Sequence, residues 1–148
     1  MSTILKFSEA ASMAIHSMGL LALAGDSPTT TKAMAQALSV SENHLAKVLQ
    51  RLAHSGLVRA TRGPAGGYVL ARLPQDTTIL TIYESIEGPL DSGTCLLGTP
   101  VCGGNHCPLG KMVSQVYDLV SSTLGNSNLL QVTEVFRRKS HEAQSNSN

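Results

Sequence analysis

The chain has 148 residues, enough for one domain with its own core, or for a small domain carrying an oligomerisation arm. Apolar residues make up 42% and charged residues 14%, a balance that excludes a disordered chain, and no apolar run is long enough to span a membrane. The formal net charge of +1 hides an asymmetry: residues 1–75 hold seven Lys/Arg against three acids, residues 76–148 four against seven, so a basic half suited to nucleic acid precedes an acidic half suited to a protein or ligand.

Ser8 is placed to cap a first helix running to about Ala24, with Ala11, Ile15, Met18 and Leu21/Ala22 on its inner stripe. Gly25-Asp26-Ser27-Pro28 breaks it. Thr31 is placed to cap a short second helix, Lys32–Leu38, and Ser39-Val40 turns the chain into a third. Ser41 caps that third helix, where Leu45, Val48, Leu49 and Leu52 recur at i, i+3, i+4 and i+7. The opposite face shows Asn43, His44, Lys47, Gln50, Arg51 and His54, with no acid after Glu42. Gly56 is suited to a left-handed helix end. Leu57-Val58 and Tyr68-Val69-Leu70 read as short strands around a glycine- and proline-rich turn, Arg59–Gly67, whose bare backbone can approach a partner closely.

Helix, turn, helix and arginine-bearing hairpin make a winged helix-turn-helix, mainly α with a small β wing. In such a fold the third helix enters the DNA major groove and the wing meets backbone or minor groove. The expected DNA contacts are Asn43, His44, Lys47, Arg51, Arg59, Arg62, Gly66 and Tyr68. Asn43 or His44 would read bases. Lys47, Arg51, Arg59 and Arg62 would take phosphates or a narrow minor groove.

Past a connector, Arg72–Thr78, Thr81 and Glu84 have the spacing of a capping box and open a short helix with Ile82, Tyr83 and Ile86 inward. Residues 90–108 form a loop with four glycines, two prolines and every cysteine. From Leu109, apolar residues at Met112, Val113, Val116, Leu119, Val120 and Leu124 mark a helix of about four turns. One helix cannot bury its own stripe. Packing on a second copy in a two-fold dimer is the economical solution, and folding back on the first helix is the alternative. Asn128 is placed to cap a last helix through Val132, Val135 and Phe136, followed by a polar tail. The expected organisation is therefore a DNA-binding domain over 1–75, a linker helix and cysteine loop over 76–108, dimerisation helices over 109–139, and a disordered tail over 140–148. No signal-peptide pattern opens the chain, and the expected location is cytoplasmic.

The cysteines are Cys95, Cys102 and Cys107, separated by six and four residues. An odd number cannot all pair internally, and clustering favours a metal or redox site. Thiolates bind soft metals and iron–sulfur clusters, but this spacing is neither that of a zinc ribbon nor of a ferredoxin. Three thiolates leave a position for another donor. His106, adjacent to Cys107, is poorly placed to supply it. Glu9, Ser12 and His16 share one stripe of the first helix, so Glu9 or His16 of a neighbouring subunit can complete a site. The plainer readings are an interface histidine, a first-turn acid favoured by the helix dipole, and cysteines that are free thiols, a reversible disulfide or zinc ligands.

The run Gly56-Leu57-Val58, then Arg62-Gly63-Pro64-Ala65-Gly66-Gly67-Tyr68, then three cysteines and a long helix, resembles the bacterial Rrf-type winged-helix regulators over about residues 5–135. The resemblance implies that Arg62 enters the minor groove, that Ser41, Asn43 and Lys47 meet bases and phosphates, that the long helix dimerises, and that the cysteines hold an iron–sulfur cluster (2Fe-2S or 4Fe-4S). This chain departs from the family's cluster-binding members, where five residues commonly separate successive cysteines. Gly110 stands where some supply a histidine, and Ser12 where others supply an aspartate from the partner subunit. His16 matches a histidine used by still others.

The expected function is a homodimeric, sequence-specific regulator that binds a palindromic double-stranded DNA operator and senses redox state, nitric oxide or iron–sulfur supply. Zinc or a thiol/disulfide switch is the alternative to the cluster. A thiol redox enzyme is a remote rival, because the sequence has no CxxC, nucleophile elbow, phosphate loop or HExxH. A winged-helix protein–protein adaptor is the other.

Overall fold

A computed structural model describes residues 6–97, 99–103 and 107–145, the stretch 139–145 as backbone alone. Helices α1 (Glu9–Ala24), α2 (Thr31–Leu38) and α3 (Glu42–His54) precede strands β1 (Val58–Thr61) and β2 (Gly67–Leu70). Helices α4 (Ile79–Glu87), α5 (Pro108–Asn126) and α6 (Leu129–Ser145) follow.

The caps explain where the helices start. Ser8 Oγ accepts from the Ala11 amide at 3.1 Å, and Ser41 Oγ from the His44 amide at 3.3 Å, as the sequence predicts. Two expected caps move. Thr30, not Thr31, caps α2, because Thr30 is the extended residue and its hydroxyl reaches the Ala33 amide at 3.1 Å. Thr78, not Thr81, caps α4. The expected capping box does not form there, since Glu84 instead accepts from the Leu90 amide at 3.2 Å. Asn128 and Gln131 do form a reciprocal box at the start of α6. That helix continues to Ser145, six residues into the stretch where the sequence suggests disorder. His141-Glu142-Ala143-Gln144 holds no glycine or proline to stop it. Residues 146–148 lie outside the described set.

Helix α1 runs through the middle of the core. Its Ala11, Ala14, Met18 and Leu21 are buried with Leu45, Leu49 and Leu52 of α3, Ile82 and Ile86 of α4, and Leu129 of α6. The last helix therefore joins the core of the winged domain. A β-carbon at Gly19 would stand 2.7 Å from the Phe136 ring and 3.4 Å from Val132, so α1 meets α6 at a residue without a side chain. The helix that packs on α1 is thus α6, whereas folding back on the first helix was the alternative for the preceding long helix, α5. Helix α5 differs: Val113 is its fully buried residue, while Leu109, Met112 and Leu119 are exposed.

The wing is an antiparallel ladder pairing Val58 with Leu70 and Thr61 with Gly67. It is tied to the α1–α2 connection by two backbone hydrogen bonds between Thr29 and Tyr68, 3.0 and 2.9 Å. That approach needs Gly67, because a β-carbon there would lie 2.6 Å from the Thr29 carbonyl oxygen. Tyr83 anchors the start of the chain by donating its phenol to the Lys6 carbonyl at 3.1 Å. Burial, aided by Glu87 and Glu84, pushes that phenol's pKa up and keeps the donor protonated.

Candidate nucleic-acid interface and cysteine loop

Leu45, Val48, Leu49 and Leu52 turn one side of α3 into the core. The turn before it is a left-handed Ser39, φ 55°, followed by Val40, whose amide bonds the Ala35 carbonyl at 3.0 Å. This fixes α3 against α2 in helix-turn-helix fashion, with Gly56 at φ 69° ending the helix as expected. Asn43, Lys47, Gln50 and His54 are exposed on the far side.

Two expected contacts are drawn toward neighbouring helices. His44 is half-buried, and its Nδ1 lies 3.8 Å from a Glu9 carboxylate oxygen of α1. Arg51 donates from its guanidinium to the Ile86 carbonyl at the end of α4. Both groups thus have structural partners, and both sit on one flank of α3. Gln50 and His54, on the polar face but outside the expected contact set, lie nearer its outward centre. A helical wheel carries that signal.

In the wing, Arg59 and Arg62 are exposed. Gly63 adopts φ 106°, and the Gly66 amide bonds the Gly63 carbonyl at 2.9 Å to close the tip. A β-carbon on Gly66 would lie 2.5 Å from the Thr61 carbonyl oxygen, so this glycine shapes the turn that presents Arg62. Tyr68 is half-buried and packs against the core, so it too supports the wing from behind.

The cysteine loop is pinched at its base. Cys107 is the N-cap residue of α5, and a β-carbon at Gly110 would stand 2.7 Å from the Thr94 carbonyl oxygen. The absence of a side chain at 110 thus lets the Cys95 end of the loop close on the Cys107 end, beside a helix amino terminus that favours anionic groups. All three cysteines are free thiols; Cys95 and Cys107 are half-buried and Cys102 is exposed. His106 lies outside the described residues, as do Gly98, Gly104 and Asn105. Among the described residues, no three His, Cys, Asp or Glu side chains of one chain converge on a metal-sized site.

Glu9, Ser12 and His16 line one cleft of about 180 Å³ with Met13, Leu38 and Val40. The cleft lies between α1 and the helix-turn-helix turn. His16 Nδ1 is 2.7 Å from the Ser12 carbonyl oxygen. A carbonyl only accepts, so Nδ1 is the donor, and in the neutral ring that arrangement leaves the lone pair on Nε2. The ring also stands edge-on to Phe136, with centroids 6.0 Å apart. A histidine oriented by a carbonyl in this way has the form used in metal ligation. Three thiols and such an imidazole are a donor set that fits an iron–sulfur cluster or zinc.

A helix-turn-helix with a wing and an outer face of amides and cations defines the class: this is a winged-helix transcriptional regulator. The Rrf2 family model, described as iron-dependent transcriptional regulators, matches residues 7–135, and the chain belongs to that family. It is 39% identical over 66 residues to the HTH-type transcriptional regulator CymR of Bacillus subtilis, covering 45% of this chain and 48% of CymR. It is 33% identical over 99 residues to the HTH-type transcriptional repressor NsrR of Streptomyces coelicolor, covering 66% of this chain and 63% of NsrR. Among solved structures it is similar to CymR, the global cysteine regulator of B. subtilis, with TM-score 0.75 and 28% identity over 88% of this chain and 98% of that one. It is also similar to IscR of T. potens, with TM-score 0.71 and 26% identity over 95% and 91%. No helix among the described residues is long and apolar enough to cross a membrane.

Proposed function

We propose that the protein is a homodimeric, sequence-specific DNA-binding regulator whose cysteine loop holds an iron–sulfur cluster. The observation that carries the DNA-binding part is the outer face of α3, where Asn43, Lys47, Gln50 and His54 are exposed together without an acid. Two such helices related by a two-fold axis read a palindromic operator. Arg62 and Arg59 of the wing add contacts that carry no base code but much of the affinity. The exposed apolar residues of α5 support dimerisation through that helix.

For the cluster, the support is the pinched loop with its three free thiols, together with the tautomer of His16. Cys95, Cys102 and Cys107 would hold it with His16 or Glu9 of the partner subunit. When bound, the cluster supplies a centre that changes charge on oxidation and can be lost to oxidants. The chain's own part is mechanical. The loop would join one subunit to α1 of the other, and α1 is packed directly on α3. A change at the loop then shifts the two recognition helices relative to each other. Only a difference in cluster binding between two dimer states can drive that shift.

The test compares operator affinity of cluster-loaded and cluster-free protein at one salt concentration. A difference of severalfold or more supports the switch, and equal affinity refutes it. A thiol switch without metal is the second reading, favoured by the exposure of Cys102. It requires operator affinity to respond to oxidant in metal-free protein.

A further inference from the structure

Leu45, Val48, Leu49 and Leu52 fix the inward direction of α3. At about 100° per residue, the outward direction falls on Asn43, Lys47, Gln50 and His54. His44 and Arg51, seven residues apart, lie together on one flank, facing Glu9 and the Ile86 carbonyl. Asn43 and Lys47 already have expected roles, and His54 ends the helix. Gln50 has none. It lies nine residues beyond the Ser41 cap, roughly 4.5 Å along the axis from Lys47. A major groove about 12 Å wide accommodates both.

We propose that Gln50 is a specificity-determining residue that reads an adenine in each operator half-site. The proposal rests on the DNA-binding reading above. A primary amide places a donor beside an acceptor, the complement of adenine's N7 acceptor and N6 amino donor. Guanine offers two acceptors there and would face the amide oxygen with another oxygen. Among the described residues, the Gln50 side chain makes no hydrogen bond within the protein, so its exposed amide can exchange water for a partner. Leaving it unmatched in a closed groove is costly, which turns the amide into a discriminator. Its surroundings fit that use. Gln50 borders a cleft of about 380 Å³ with Lys47, Arg51 and His54. Among the described residues no carboxylate lines the cleft, and the acids of α4 are held elsewhere: Glu87 by Ser8 and Glu84 by the Leu90 amide. Cations suited to phosphates thus flank an amide suited to a base edge.

The experiment selects duplexes from a randomised DNA library with the full-length wild type, Gln50→Ala and Gln50→Arg at one salt concentration. The wild type is expected to enrich a palindrome with adenine at one symmetric position, preferred roughly 5- to 150-fold. Gln50→Ala should keep the rest of the motif and lose that preference. Gln50→Arg should move it to guanine, the base that arginine reads bidentately. Alanine at an exposed helical position favours the fold, and circular dichroism verifies it. If Gln50→Ala enriches the same motif with equal strength at every position, or weakens all positions alike, the Gln50 assignment is overturned and the DNA-binding reading stands. A wild type that enriches no sequence overturns both.

Discussion

Replacing Gly67 by alanine should detach the wing. The added β-carbon would lie 2.6, 2.7 and 3.0 Å from the oxygen, carbonyl carbon and nitrogen of Thr29. All three are backbone atoms, so no side-chain rotation relieves the clash. The chain can keep the contact and accept overpacking, at a cost of about 1–3 kcal/mol. Or it can part β2 from Thr29 and lose the two Thr29–Tyr68 hydrogen bonds, each worth about 0.5–1.5 kcal/mol net. The two routes are alternatives, so the expected loss is about 1–3 kcal/mol, not their sum. For a chain of this length that lowers the melting temperature by roughly 2–12 °C. Gly125→Ala is the contrast. A β-carbon there meets Leu80 at an ordinary 3.7 Å inside α5, and alanine should stabilise by about 0.5–1 kcal/mol. Urea titrations of both variants measure the difference, and DNA affinity of Gly67→Ala should fall with wing placement. A Gly67→Ala protein as stable as the wild type would refute the argument that Thr29 holds the wing.

Three further outcomes follow from the same geometry. Arg62→Ala should lower DNA affinity about equally across sequences and reduce the slope of log affinity against log salt by roughly 2 for a dimer, read by fluorescence anisotropy. An unchanged slope would remove Arg62 from the phosphate or minor-groove contact. Leu119→Glu, on the exposed face of α5, should convert dimer to monomer in sedimentation velocity, whereas a dimer that persists would move the interface elsewhere. His16→Ala should cut the iron retained per chain after anaerobic gel filtration while circular dichroism stays unchanged. Full iron retention would assign the remaining ligand to another group.

Much of this architecture is written locally. The stripe of α3 and the wing glycines are short-range patterns, and they appear where periodicity and turn chemistry place them. Cap positions fail where several threonines compete, as at Thr30 and Thr31 or at Thr78 and Thr81, because composition cannot say which residue is extended. The packing of α6 on α1 depends on Gly19 meeting Phe136, a pair far apart in sequence. The same distance hides the partners of His44 and Arg51, which are supplied by Glu9 and by the Ile86 carbonyl. The cysteines advertise their chemistry by clustering. The closure of their loop depends on Gly110 lying against Thr94, a contact that spacing alone does not reveal.

The proposed regulator joins a DNA-binding face to a cysteine-held iron–sulfur cluster. The most direct test is the visible absorption spectrum of protein purified without oxygen, with iron and acid-labile sulfide assayed on the same sample. The expected result is a brown protein containing iron and sulfide in matching amounts, both lost in Cys102→Ser. A colourless protein holding zinc or no metal would contradict the cluster and leave the cysteine loop a zinc or thiol site.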